Sequence, residues 1–186
     1  GGTVVTHIEA SMCLEEVVEP RGGRVVRTRV GDVSVAAAVK EHGAVFGGEP
    51  CGAWIHPRFH YCPDGVLSSA LLLRALEKED KTVSSFVSGV PRYPMVRRAV
   101  ACPDRVKSEV MERLEDSISR FFPEAGEKLT VDGVRLTLED GWILVRPSGT
   151  EPIMRITVEA GSMKRAEGIM GKGVQLVEKL VKEATG

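Results

Sequence analysis

The sequence predicts an α/β domain with a mostly parallel or mixed sheet, followed by a small α+β domain with a mainly antiparallel sheet and two helices. Three observations carry that expectation. Short β-branched runs alternate with helical patterns in the first part of the chain, a proline-containing stretch from Lys81 to Pro103 breaks the alternation, and strand-like runs then cluster between two amphipathic segments. Alternation suits parallel strands joined by crossover helices, whereas clustered strands suit antiparallel pairing. The domains therefore read as 1–85 and 103–186, with 86–102 as a linker.

Each element follows from its local pattern. Val4 to Ile8 is a β-branched run suited to a buried strand. A helical stretch around Met12 to Val18 stops at Pro20 and Gly22-Gly23. Val25 to Val30 reads as a second strand, and Ser34 as the N-cap of an Ala-rich helix ending at Gly43. Ala44 to Phe46 and Trp54-Ile55 complete the strands of this half, and Asp64 caps an apolar helix from Val66 to Glu77.

Beyond the linker, Val106, Val110, Leu114 and Ile118 share one face of a helix from Asp104 to Phe121. Asp132-Gly133 is a two-residue hairpin signal. Trp142 to Val145 and Ile153 to Glu159 read as strands, and Ser162 caps a last helix reaching Lys182.

Composition narrows the function. With 42% hydrophobic residues, 27% charged residues and a net charge of −1, this is an ordinary globular chain. Bulk electrostatics point to neither a nucleic-acid nor a membrane partner, so an anionic ligand has to be gripped locally. No apolar run is long enough to span a bilayer and no signal-peptide pattern is present, so a cytoplasmic location is expected. Cys13, Cys51, Cys62 and Cys102 form no C-x-x-C pair and read as thiols of a reducing compartment. The chain begins Gly1-Gly2-Thr3-Val4-Val5 and enters a strand at once, so it is expected to be a fragment.

Arg146-Pro147-Ser148-Gly149-Thr150-Glu151-Pro152 lies between two strand runs, with Arg155 inside the second. Arg146 and Arg155 carry planar forks that match phosphate oxygens. Ser148 and Thr150 supply hydroxyls, Gly149 allows an anion-binding nest, and the prolines stiffen entry and exit. Proline, serine, glycine and threonine also make ordinary turns, and composition alone leaves the two readings even. The co-occurrence of two arginines, two hydroxyl residues and a glycine favours phosphate.

R-P-S-G-T-E-P followed by R-I-T-V-E closely resembles the last-domain phosphate loop of the α-D-phosphohexomutases, which holds the substrate phosphate not undergoing transfer. Gly47-Gly48-Glu49-Pro50-Cys51-Gly52 follows a strand and reads alone as a tight turn with an exposed glutamate. Its resemblance to the family's G-E-x-S-G sugar loop makes Glu49 the sugar reader. Cys51 stands where the family has serine, and a thiol is a weak hydrogen-bonder. The fuller string G-G-E-P-C-G-A-W-I-H-P looks most like phosphoglucosamine-mutase-type members from archaea.

Thr28 to Asp32 is similar to the family's T-x-V-G-[DH] loop. That resemblance makes Gly31 and Asp32 candidate sugar contacts and Asp32 a candidate proton-handling group; an aspartate in a turn before a helix reads equally well structurally. Cys51, His56, His60 and Cys62 are potential zinc ligands, but their spacing matches no common zinc knuckle, so no metal is expected in this chain.

The family's phosphoserine loop (T-A-S-H-N-P-like) and magnesium loop (D-G-D-G-D-like) do not occur in these residues. The resemblance thus implies domains three and four of a four-domain enzyme that interconverts 6-phospho and 1-phospho sugars through a bisphosphate. The expected partners are a phosphorylated hexose or hexosamine and the N-terminal domains, with magnesium held outside this chain. The fragment by itself is expected to bind phosphosugar weakly and catalyse nothing. Phosphomannomutase/phosphoglucomutase activity, or a non-catalytic phosphosugar-binding module, are the competing readings.

Overall fold

The β-branched run at the start of the chain forms strand β1 (Thr3–His7), which becomes the centre of a mixed sheet. This computed structural model describes residues 1–186 and divides into two units, Gly1–Arg92 and Tyr93–Gly186. In the first unit β1 is followed by α1 (Cys13–Val18), β2 (Arg24–Thr28), α2 (Asp32–Glu41), β3 (Phe46–Gly48), β4 (Trp54–Ile55), α3 (Gly65–Lys78) and α4 (Val83–Ser88). The sheet order is β2-β1-β3-β4, with β1 parallel to β2 and β3, and β4 antiparallel at the edge. Val35, Ala38 and Val39 of α2 pack with Val5 and Ile55 of the sheet to make the core of this unit.

Two local expectations shift here. α2 starts before Ser34, because Gly31 takes a φ of 122° that only glycine adopts readily and so turns the chain into the helix. β3 lies further along than Ala44 to Phe46 and includes both glycines. A Cβ on Gly47 would overlap Val39 of α2, so this glycine lets the helix pack on the strand. Asp64 does cap α3, accepting the Leu67 N–H at 2.8 Å. That hydrogen bond holds the Asp64 carboxyl below the usual carboxylate range.

The second unit contains β5 (Met95–Ala101), α5 (Lys107–Phe121), β6 (Lys128–Leu129), β7 (Val134–Leu138), β8 (Gly141–Pro147), β9 (Ile153–Ala160) and α6 (Met163–Thr185). Its sheet is antiparallel throughout, in the order β5-β9-β8-β7-β6. The predicted apolar face is wholly buried, at Val106 just before α5 and at Val110, Leu114 and Ile118 within it. It shares one apolar core with Ile143 and Ile156 of the sheet and Val177 of α6. Ser162 caps α6 through the Arg165 N–H at 3.2 Å.

The segment 86–102, expected as a linker, instead contains strand β5. Pro94 and Pro103 bound this strand, and it sits at the sheet edge, paired only with β9. An edge strand tolerates adjacent arginines and flanking prolines, so Met95 to Ala101 does not show a buried-strand pattern. The hairpin reading at Asp132-Gly133 is also corrected. Residues 130–133 form a longer loop between β6 and β7, and the two-residue connection is Glu139-Asp140, where Leu138 pairs with Gly141.

Candidate functional site

In the first unit, the loops after β1, β2 and β3 leave one edge of the sheet, because these three strands run parallel. Loops beyond the carboxyl ends of parallel strands are the usual ligand position in open α/β sheets. Glu49 lies there and is 8% exposed. Its Oε1 accepts the Gly31 N–H at 2.9 Å, which joins the loop after β3 to the loop after β2. A buried carboxylate needs such a donor, since an unsatisfied one is costly.

His7, overlooked in the sequence, is the second group beside Glu49. Its Nδ1 accepts the Glu9 N–H at 3.0 Å, so the proton of the neutral ring sits on Nε2, 3.9 Å from Glu49 Oε1. Thr6 Oγ1 donates to the Gly48 carbonyl at 2.8 Å, fixing β3 just before the glutamate. Arg27 is similarly structural: it binds Glu15 with both arms at 2.8 Å and donates to the Ala10 and Ser11 carbonyls. It shapes the loop after β1, and no sequence signal distinguished it from a surface arginine.

The structure brings Gly31, Glu49 and Cys51 together. The Cys51 thiol lies 3.9 Å from Glu49 Oε2 and is exposed. Asp32 is exposed at the start of α2, where its Oδ1 accepts the Val33 N–H at 2.9 Å. The four potential zinc ligands do not converge. His56 bonds Ser68 at 2.8 Å, whereas His60 lies between Asp64 at 3.1 Å and the Cys62 sulfur at 3.2 Å. No three His, Cys, Asp or Glu side chains anywhere in the chain form a cluster able to hold a metal.

In the second unit, β8 and β9 pair so that Arg146 and Arg155 are direct cross-strand partners. Like charges directly opposite destabilise a sheet. Each is offset by a carboxylate: Arg146 binds Asp132 at 2.9 Å, and Arg155 binds Glu151. The Arg155–Glu151 pair is 55% exposed on both sides, so an incoming anion can displace the glutamate at little cost.

Between the strands, Ser148 is buried and its Oγ accepts the Glu151 N–H at 3.2 Å, closing the loop into a turn. Gly149 and Thr150 form its exposed tip, and their N–H groups make no hydrogen bond within the protein. The loop thus carries two unengaged amide donors, and the strands that flank it carry two arginines, a set suited to a phosphate. A Cβ on Gly149 would meet nothing within 4 Å and its φ is not left-handed. Gly149→Ala is therefore expected to leave the thermal midpoint unchanged while weakening phosphate binding severalfold, measured by titration of the chain with a sugar phosphate.

Comparison with known proteins agrees with both halves. Residues 1–93 match the family description "Phosphoglucomutase/phosphomannomutase, alpha/beta/alpha domain III", and residues 96–172 match "Phosphoglucomutase/phosphomannomutase, C-terminal domain". A probable phosphoglucosamine mutase of Methanopyrus kandleri is 50% identical over 98% of this chain, and that of Pyrococcus abyssi is 45% identical over 99%. The chain spans about 40% of the length of each of these relatives. Among solved structures, a phosphoglucomutase/phosphomannomutase family protein of Burkholderia thailandensis superposes with a TM-score of 0.82 at 25% identity, over 97% of this chain and 38% of its own. An N-acetylphosphoglucosamine mutase of Aspergillus fumigatus, solved with GlcNAc-6P and magnesium, shares the fold with a TM-score of 0.64 at 15% identity, over 96% of this chain and 39% of its own. With matching sequence models across both units and a common fold, this chain belongs to the phosphoglucomutase/phosphomannomutase family, of which it carries domain III and the C-terminal domain.

Proposed function

We propose that this chain supplies the sugar-reading and phosphate-holding parts of a phosphosugar mutase, and that the full protein is a phosphoglucosamine mutase. The carrying observation is the cross-strand pairing of Arg146 with Arg155 on the two strands flanking a loop whose Gly149 and Thr150 amides are unengaged. Relatives from Methanopyrus kandleri, Pyrococcus abyssi and Methanothermobacter thermautotrophicus, each a probable phosphoglucosamine mutase, support the aminosugar.

In this reading Arg146, Ser148, Gly149, Thr150 and Arg155 hold the phosphate that is not transferred. Glu49 accepts from sugar hydroxyls, with Gly31, Asp32 and Cys51 around it. A phosphoserine outside this chain gives its phosphoryl group to a sugar-phosphate hydroxyl, forming a bisphosphate. The other phosphate then returns to the serine oxygen. The residues of this chain contribute positioning and charge stabilisation to that exchange.

The chain's own side chains do not fit a magnesium site, because no acidic cluster forms. The family resemblance and the magnesium in the Aspergillus enzyme support a metal held by other domains. No helix here is long and apolar enough to cross a membrane, and a cytoplasmic location suits a phosphosugar substrate. The 186-residue chain alone is expected to bind without catalysis.

Amide NMR of the chain titrated with glucosamine 6-phosphate tests the phosphate reading. Shifts at Gly149, Thr150 and Arg155 are expected, and their absence would sink it. Assays of the full-length enzyme on glucosamine, mannose and glucose phosphates test the substrate; a strong mannose preference would overturn the aminosugar assignment.

A further inference from the structure

We propose that Lys107 is a positioning residue for the phosphate loop, holding its backbone so that the Gly149 amide faces the ligand. This rests on the phosphate-holding reading of that loop. Lys107 is the first residue of α5, and its side chain is 12% exposed. Its Nζ lies 2.6 Å from the Ser148 carbonyl and 2.6 Å from the Glu151 carbonyl. The third partner is Asp104 Oδ1, also at 2.6 Å. An ammonium group has three N–H donors, so all of them are engaged.

The two carbonyls belong to opposite arms of the turn that carries Gly149 and Thr150 at its tip. One lysine therefore ties both arms from behind. No peptide bond in the chain is cis. In a trans peptide the C=O and N–H point in opposite directions, so a Ser148 carbonyl held by Lys107 directs the Gly149 N–H away from it. That amide has no partner in the protein, and the space beside Gly149 is open.

A charge-assisted bond to the carbonyl also polarises the peptide and strengthens its N–H as a donor. Asp104 offsets the lysine charge locally, so the contribution to an anion comes mainly through orientation of the peptide. Losing Lys107 would free the Ser148–Gly149 peptide to rotate. The two partner carbonyls lie 41 and 44 residues from Lys107, which is why neither the motif nor its immediate flanks point to this side chain.

The test uses the isotope-labelled chain titrated with glucosamine 6-phosphate, comparing wild type, Lys107→Met and Arg146→Ala by amide NMR. Lys107→Met is expected to move the ligand-free Gly149 amide resonance, to reduce its response to ligand, and to weaken binding about tenfold. A purely structural staple would instead lower the thermal midpoint while leaving the Gly149 response and affinity of the folded fraction intact. Binding within about twofold of wild type, with the same Gly149 shift, overturns the proposal.

If Lys107→Met does not fold, Lys107→Gln takes its place: its amide can donate to one carbonyl at most, so a smaller Gly149 shift and a severalfold loss of affinity are expected, and wild-type values of both overturn the proposal. Loss of binding in Arg146→Ala with full binding in Lys107→Met defeats the lysine role alone. A wild-type chain whose Gly149 and Thr150 amides ignore the ligand defeats the phosphate reading and the lysine role together.

Discussion

Replacing Arg146 by alanine, with the chain serving as the C-terminal part of a full-length enzyme, is expected to lower kcat/KM by about 10- to 150-fold. That range corresponds to losing roughly 1.5–3 kcal/mol, the usual contribution of a hydrogen bond to a charged group. The Arg146–Asp132 pair is only about a quarter exposed on each side, at 24%, so removing the arginine leaves the Asp132 carboxylate half-buried without its counter-ion and also lowers the melting midpoint. Arg146 also stands directly opposite Arg155, and taking away one of two facing cations relieves repulsion.

Steady-state kinetics, with a thermal melt as control, separate the site effect from unfolding. Arg146→Lys adds a second reading. Lysine keeps the charge but lacks the planar fork, so it should recover only part of the loss. Unchanged kinetics in the alanine variant would remove Arg146 from the phosphate clamp.

The second large effect concerns the glycine beside the counter-ion of that arginine. Gly133→Ala is expected to destabilise the second unit by about 2–4 kcal/mol, with its melting midpoint falling roughly 10–20 °C. Gly133 has a φ of +81°, and an added Cβ would overlap the Val145 carbonyl and the Arg146 side chain. The loop must move, and Asp132 moves with it. Phosphosugar binding should therefore weaken in the folded fraction as well. A melt within a few degrees of wild type would show that the loop relaxes freely. Contrast with Gly149→Ala is informative, since the same substitution there meets open space.

Most of the second unit was legible from periodicity. The 3.6-residue spacing of Val106, Val110, Leu114 and Ile118 identified the buried face of α5 and of the turn leading into it, and all four are buried. Asp64 and Ser162 were readable as N-caps because capping chemistry is local. Strand β5 was not readable, since edge position relaxes the alternation that marks a half-buried strand. Gly47 looked like ligand-loop chemistry, but its neighbour across the packing interface, Val39, gives it a role in seating α2.

The sequence by itself determined the residues of the loop proposed to hold phosphate, their order and their placement between two strands, because those depend on residue type and short spacing. Only the tertiary structure decided how the donors are aimed. Cross-strand register set Arg146 against Arg155, and packing brought Lys107 onto the Ser148 and Glu151 carbonyls. It likewise buried Glu49 against the Gly31 amide and placed His7 beside it. Those pairings join residues far apart in the chain, and they form because buried polar groups must find partners once the core around them has closed.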